Sequence, residues 1–88
     1  MAKRVDANHK EIVDALRAIG ASVQSLHTVG DGCPDLLVGF RGCNYVLEVK
    51  TPTGKRKDAQ VDWHADWRGD VQTVTSREQA LAVIGAVR

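Results

Sequence analysis

The sequence predicts a small α/β protein in which one mixed β-sheet is flanked by helices. The 88 residues suffice for a single domain, assigned to residues 1–88. Three segments have the pattern of helices, and four are short runs of β-forming residues. One helical segment lies between the third and the fourth of these runs. The predicted order of elements is therefore α-β-β-β-α-β-α.

The first helix is predicted over residues 8–19. Its apolar residues recur at helical spacing and form one stripe, which includes Ile12, Leu16 and Ile19. Asn8 and Glu11 have the spacing of a capping box, which is typical of a helix start. Gly20 is typical of a helix end, because glycine adopts the left-handed backbone conformation without steric cost.

Three strands are predicted next, at residues 21–27, 35–40 and 44–50. A loop rich in glycine and proline separates the first two, and a hairpin turn at residues 41–44 joins the last two. Alternation along the third strand places Glu48 and Lys50 on one face together with Val46. The residues predicted on the opposite face are Tyr45, Leu47 and Val49.

The remaining segments are a basic loop, a second helix and a short strand, at residues 51–57, 58–67 and 71–75. Gly69 closes the second helix. Ser76 and Gln79 have the spacing of a capping box and predict the start of a last helix. That helix is expected to direct two apolar side chains inward, Leu81 and Ile84.

The composition is that of an ordinary globular protein and excludes a disordered chain. Hydrophobic residues make up 43% of the sequence and charged residues 26%. No apolar run approaches the roughly 20 residues of a membrane-spanning helix. Residues 1–6 lack the apolar stretch of a signal peptide, so we expect a cytoplasmic protein. Cys33 and Cys43 lack the close spacing of a zinc knuckle, and we expect both to be reduced thiols.

The charge balance does not by itself indicate a nucleic acid partner. Twelve Lys and Arg stand against 11 Asp and Glu, which gives a net charge of +1. A nucleic acid would therefore be held by a local cluster of charge, such as Lys55, Arg56 and Lys57. A run of charges is usually a solvated loop. Phosphate contacts from this run would position DNA without reading its sequence.

The residues that point to chemistry are two carboxylates and one ammonium group. Asp35 follows Pro34 at the start of one predicted strand, and Glu48 and Lys50 lie thirteen and fifteen residues later on its hairpin partner. Converging carboxylates repel each other and are costly to bury, so they stabilise a fold poorly. They are suitable ligands for a hard divalent cation such as Mg²⁺. The alternative is a turn-forming aspartate and a surface ion pair, which leaves their joint spacing unexplained.

A family resemblance is carried by the segment GDGCPDLLVGFRGCNYVLEVK at residues 30–50. It resembles the core of the PD-(D/E)XK nuclease superfamily, and more closely a stand-alone VRR-NUC domain of the small type found in bacteria and phages, related to Holliday junction resolvases. The resemblance runs from about residue 8 to residue 82 and includes Gln60. It implies a restriction-endonuclease-like core.

The resemblance also implies roles for individual residues. Metal binding would fall to Asp35, Glu48 and the backbone carbonyl of Val49, with Mg²⁺ as the cofactor and Mn²⁺ as its substitute. Lys50 would be catalytic and Gln60 would support it. The family often carries a helical glutamate at its metal site, a position that Glu11 or Asn8 would occupy. The capping box explains Glu11 without a metal, so both interpretations stay open.

The predicted function is a metal-dependent DNA endonuclease, with branched or Holliday-junction-like DNA as the substrate that family analogy indicates. One alternative is a non-catalytic nucleic-acid-binding module that retains the nuclease fold, and another is a small structural protein. The three histidines are expected to be surface or core residues: His9, His27 and His64. Trp63 and Trp67 lie four residues apart and predict packing in the core or in a homodimer.

Overall fold

The computed structural model describes residues 7–54 and 58–86. The helices are α1 (Ala7–Ala18), α2 (Asp58–Asp66) and α3 (Arg77–Val83). The strands are β1 (Ser22–Ser25), β2 (Leu36–Phe40), β3 (Cys43–Val49) and β4 (Gln72–Val74). In these two stretches of chain, no helix is both long enough and apolar enough to cross a membrane.

The four strands form one mixed sheet in the order β1-β2-β3-β4. The first two pairs are antiparallel, and the β3–β4 pair is parallel. A parallel pair needs a crossover connection, and α2 lies in the segment that joins β3 to β4. The predicted α/β class with a mixed sheet is confirmed.

The hydrophobic core lies between one face of the sheet and the helices α1 and α3. The two helices contribute Ile12, Leu16, Ala80 and Ile84. The sheet contributes Leu36, Val38, Leu47 and Val74. Tyr45 and Val49 pack against this core on the same face as Leu47, as alternation along the strand predicts. Each fully buried Leu or Ile side chain contributes about 1.5–3 kcal/mol to the free energy of unfolding.

Glycine conformations end α1 and turn the hairpin. Gly20 has φ +90° and donates its backbone N–H to the Arg17 carbonyl, while the Ala21 N–H bonds the Leu16 carbonyl. This pair of bonds is a Schellman motif, and it ends the helix close to the predicted position. Between β2 and β3, Arg41 and Gly42 have φ +51° and +79°, the pattern of a tight two-residue turn.

The capping box predicted at the start of α3 is present. The Ser76 hydroxyl accepts a hydrogen bond from the Gln79 backbone N–H at 3.1 Å. The Gln79 side-chain oxygen accepts from the backbone N–H of Thr75 at 2.7 Å, one residue before the cap.

The capping box predicted for Asn8 and Glu11 is wrong. Asn8 lies inside α1, and its carboxamide donates to the backbone carbonyls of Lys50 and Thr75 at 2.8 and 3.3 Å. An N-cap residue precedes the helix and accepts through its side-chain oxygen, whereas Asn8 is helical and donates through its Nδ2 to two strand ends. Sequence spacing alone cannot detect acceptors so distant along the chain.

Candidate active site

The carboxylates predicted to converge do so where β2 begins and β3 ends. Leu36 pairs with Leu47, and the backbone N–H of Asp35 donates to the Leu47 carbonyl at 3.1 Å. Asp35 therefore lies one residue before β2, beside the position of Glu48. The hairpin register brings the two residues together despite thirteen intervening steps of sequence.

The side chain of Asp35 also binds the backbone of β3, at the last residue of that strand. Its Oδ2 accepts a hydrogen bond from the Val49 N–H at 2.7 Å. The Lys50 N–H points the other way and donates to the Val74 carbonyl of β4. Backbone groups of successive residues in a strand face opposite neighbours, so the Val49 carbonyl oxygen lies on the same side as Asp35.

Glu48 is the buried charged residue of the sheet, with 1% of its surface exposed. Its Oε2 accepts a hydrogen bond from Gln60 Nε2 at 3.1 Å and lies 3.6 Å from Lys50 Nζ. Its Oε1 is buried and has no hydrogen-bond partner among the described residues. The Nε2 atom of His64 lies 3.9 Å from Oε1.

Helix α2 supplies two further polar side chains to this site. Gln60 and His64 are four residues apart, so both face the sheet from one side of the helix. Gln60 also accepts a hydrogen bond from Lys50 Nζ at 2.7 Å. One carboxamide thus bridges the carboxylate of Glu48 and the ammonium of Lys50, and it fixes their separation.

The environment of Glu48 opposes its ionisation in the absence of metal. Burial, the charge of Asp35 and a hydrogen bond with the Asp35 carboxyl raise the pKa of Glu48 to about 7, while Lys50 acts in the opposite direction. Glu48 therefore holds its proton up to a higher pH than an exposed glutamate does. Burial, with the charges of Glu48 and Asp35, also raises the pKa of the Cys33 thiol. Cys33 and Cys43 are free, as predicted.

The donor set fits a divalent cation. An unpartnered, fully buried carboxylate oxygen is costly, and a cation would replace the proton of Glu48 and bind that oxygen. Two carboxylates and a backbone carbonyl are the all-oxygen ligands that Mg²⁺ prefers. The residues that would hold it are Asp35 and Glu48, with the carbonyl oxygen of Val49.

The structure does not bring Glu11 to this pair. Glu11 is exposed on α1 and lines a shallow surface groove with Arg77, whose pKa is raised by a hydrogen bond with Glu78 and by the charges of Glu78 and Glu11. Within the described ranges, no three His, Cys, Asp or Glu side chains converge in a way that would hold a metal. The prediction of Glu11 as a metal ligand is not supported by this placement. Lys55, Arg56 and Lys57 lie outside the described residues.

Three residues have contacts at the site that the sequence patterns do not predict: Asn8, Gly32 and His64. His64 was assigned to the surface or core, yet only 10% of its side chain is exposed and it faces Glu48. Its position one helical turn after Gln60 is the signal that would have placed it there. The exposed His27 follows β1, as expected for a surface histidine.

Gly32 allows α2 to lie against the loop that carries Asp35. Its φ is +80°, and a Cβ built on it would lie 2.1 Å from the backbone oxygen of Ala59, next to Gln60. No side chain fits this approach. The neighbouring Gly30 has a similar φ of +77° but open space around its Cβ position.

This difference makes a prediction about Gly32→Ala. We expect a loss of free energy of unfolding of about 2–4 kcal/mol, because backbone strain adds to a clash that displaces α2. The cleavage rate should also fall under conditions where the variant is still folded, since Gln60 moves with the helix. Gly30→Ala is the matched control, and strain alone should cost it about 1 kcal/mol. Chemical denaturation measures both, and equal losses in the two variants would contradict the close-approach argument.

Trp63 and Trp67 stack on each other beside the site, with ring centroids 4.5 Å apart and planes 15° from parallel. Trp67 is 47% exposed, and Trp63 is half-buried. Both line a shallow groove with acidic side chains from α2 and from the loop before β2: Asp31, Asp62 and Asp66. The pair therefore packs on the surface of α2 and not in the core.

Fold and site together define a mixed α/β domain with a candidate divalent-cation centre. The chain is similar to a solved structure described as "VRR_NUC domain", with 29% sequence identity and a TM-score of 0.67. The similarity covers 91% of this chain and 92% of that one. No protein-family model matches the sequence, and no curated protein matches it significantly. The structural similarity supports the resemblance to VRR-NUC domains that the sequence motifs indicate.

Proposed function

We propose that this protein is a divalent-metal-dependent DNA endonuclease that hydrolyses phosphodiester bonds. The observation that carries the proposal is the pair of neighbouring carboxyls, the buried one of Glu48 and the half-buried one of Asp35, beside the ammonium of Lys50. The similarity over nine-tenths of the chain to a VRR-NUC domain supports the same activity. Two like charges held this close, one of them buried, stabilise a fold poorly, so their presence is better explained by chemistry.

The metal would be Mg²⁺, with Mn²⁺ able to substitute. Asp35, Glu48 and the Val49 carbonyl would hold it. A divalent cation there supplies Lewis-acid stabilisation of the negative charge that develops at the scissile phosphate. The protein contributes a negatively charged site with little water around its central carboxylate, because Glu48 is 1% exposed and Gln60 of α2 hydrogen-bonds to it.

Lys50 and Gln60 act on the reacting groups and on each other. The ammonium of Lys50 would orient the attacking water and stabilise the phosphate oxygens as a bond to phosphorus forms and the bond to the leaving oxygen breaks. Gln60 holds Lys50 at 2.7 Å and Glu48 at 3.1 Å, so it keeps the ammonium beside the carboxylate and away from bulk solvent. A positioned ammonium pays little reorganisation cost during the reaction.

The proposed substrate is branched DNA, such as a four-way junction. The chain has few elements available for reading base edges, so recognition by shape and phosphate contacts is favoured over sequence. Lys55, Arg56 and Lys57 directly precede α2 in the sequence and are proposed phosphate contacts. The cytoplasm is the proposed location.

The test is a cleavage assay with Mg²⁺ or Mn²⁺ on linear, flapped and four-way DNA of matched sequence. We expect cleavage with either ion, loss of cleavage with a chelator, and faster cleavage of the branched forms. DNA binding without cleavage under every metal condition would contradict the proposal and favour the non-catalytic module. Indifference to both DNA and metal would favour a structural role.

We also propose a two-fold homodimer with Trp67 at or beside its interface. Trp67 and Val61 are 47% and 49% exposed on α2, which leaves apolar surface for a partner to cover. Trp67→Glu should give a folded monomer that cuts one strand of a junction without its paired incision. Ile19→Glu is the control, because Ile19 is 40% exposed directly after α1 and is not part of the groove that Trp67 lines. Sedimentation of the unmutated protein as a 9.6 kDa monomer at tens of micromolar would contradict the dimer.

A further inference from the structure

The parallel ladder between β3 and β4 ends at Lys50, whose ammonium would orient the attacking water in the proposed mechanism. The Lys50 N–H donates to the Val74 carbonyl at 3.0 Å, which is the last rung of the ladder. In a regular parallel pair, the Lys50 carbonyl would next accept from the backbone N–H of residue 76. Ser76 instead caps α3, and the chain leaves the sheet there.

Asn8 supplies the hydrogen-bond donor to the Lys50 carbonyl that β4 would supply if it continued in the sheet. Its Nδ2 lies 2.8 Å from the Lys50 carbonyl oxygen and 3.3 Å from that of Thr75. These carbonyls belong to the first residue beyond β3 and the first residue beyond β4. One carboxamide group therefore extends the ladder by a rung and ties the start of α1 to both strand ends. The site is half-buried, so water competes poorly for the carbonyls.

We propose that Asn8 is a positioning residue that fixes the backbone of Lys50 and thereby aims its ammonium group. With Asn8 in place, the Lys50 backbone is held on both sides, by Val74 at its N–H and by Asn8 at its carbonyl. The side chain then leaves a fixed Cα and reaches Gln60 and Glu48. Without Asn8, the Lys50 carbonyl loses this donor just beyond the end of β3, where the chain enters residues 51–54, and only the Lys50 N–H stays bound to β4.

That Asn8 fixes the Lys50 backbone does not depend on the proposed nuclease function, whereas the expected effect of Asn8 on turnover does. Asn8→Ala should increase hydrogen exchange at the Lys50 amide about tenfold, because a strand end that loses its side-chain hydrogen bonds opens more often. Amides at the centre of β3, such as that of Leu47, should keep their protection. Lys10→Ala is the matched control, since it removes an exposed ion pair from the same helix. Unchanged exchange at Lys50 would overturn the proposal.

The kinetic readout separates positioning from general stability. Asn8→Ala should lower kcat about tenfold with unchanged KM for DNA and unchanged Mn²⁺ affinity by calorimetry. In a Lys50→Ala background the same substitution should change kcat less than twofold, because Asn8 acts through Lys50. An equal loss in both backgrounds would assign Asn8 a merely structural role and overturn the proposal.

A measurement on the unmutated protein covers the case in which Asn8→Ala does not fold. The carboxamide protons of Asn8 should exchange at least tenfold more slowly than those of the exposed Gln24. Equal exchange would overturn the proposal. If the unmutated protein cleaves no DNA, the proposed nuclease function fails, while amide exchange at Lys50 and Asn8 still decides the positioning role.

Discussion

Glu48→Gln is expected to abolish divalent-ion binding and DNA cleavage while the fold is retained. The substitution keeps the shape of the side chain and removes the charge that a cation needs, so Asp35 alone remains as a side-chain ligand. We expect cleavage to fall by at least about 10³-fold, because most of the charge stabilisation at the phosphate is lost. Calorimetric titration with Mn²⁺ and a cleavage assay measure the two effects.

The same variant should gain stability in the absence of metal. Glu48 has a pKa of about 7 in the folded protein, against an ordinary value of 4.5. The folded state therefore binds the proton more tightly, and the stability that this provides is complete below pH 4.5 and is lost as the pH rises to about 7. Glutamine mimics the protonated carboxyl at every pH. Above pH 7, Glu48→Gln should be more stable than the metal-free wild type by at most about 3 kcal/mol.

Thermal unfolding in a chelator at several pH values checks this expectation. The wild type should lose stability between pH 4.5 and about 7 relative to Glu48→Gln. Glu78→Gln is the control, because Glu78 is exposed and pairs with Arg77 on the surface. A parallel pH dependence in the wild type and Glu48→Gln would show that Glu48 is not the group responsible.

Lys50→Ala is expected to reduce turnover by about 10²- to 10³-fold, which corresponds to ~2.7–4 kcal/mol of lost transition-state stabilisation. Metal affinity should stay near the wild-type value when it is measured at a pH where Glu48 is ionised. The reason is that Lys50 contacts Gln60 and Glu48 but supplies no ligand side chain. Single-turnover cleavage and calorimetry distinguish the two effects, and full activity of Lys50→Ala would remove Lys50 from the mechanism.

Lys50→Arg provides a stricter form of the same test. A planar guanidinium is larger than an ammonium and does not fit the 2.7 Å contact with Gln60 in the same geometry, so we expect only partial recovery of turnover. Lys10→Arg is the matched control on an exposed lysine and should have no effect. Complete recovery would mean that positive charge alone suffices.

The α/β class and the carboxylate pair could be predicted because both follow from local patterns. Alternation along β3 places Leu47 in the core and Glu48 on the opposite face, and the hairpin register then brings Asp35 beside Glu48. Strand bounds were less accurate. β1 covers residues 22–25 where 21–27 was predicted, and β4 covers 72–74 where 71–75 was predicted. The ends of a strand depend on its hydrogen bonds to neighbouring strands, and the residue pattern of one strand does not reveal those bonds.

The contacts that complete the site join residues that are far apart in the sequence, so no local sequence pattern reveals them. Asn8 and Glu11 fit a local capping box, yet Asn8 binds carbonyls 42 and 67 residues away. Gly32 reads as an ordinary loop glycine, and only the approach of Ala59 shows why a side chain is excluded. His64 lies near Glu48 because α2 places it one turn after Gln60, which also contacts Glu48.

The most direct test of the central claim is single-turnover cleavage of a four-way DNA junction in Mg²⁺, comparing the wild type with Asp35→Asn and with Asp70→Asn. Asp35→Asn removes one proposed metal ligand, while Asp70 is exposed and accepts a surface hydrogen bond from Gln72. We predict that the wild type and Asp70→Asn cut the junction at the same rate and that Asp35→Asn does not cut it. Cleavage by Asp35→Asn at the wild-type rate would contradict the assignment of this site.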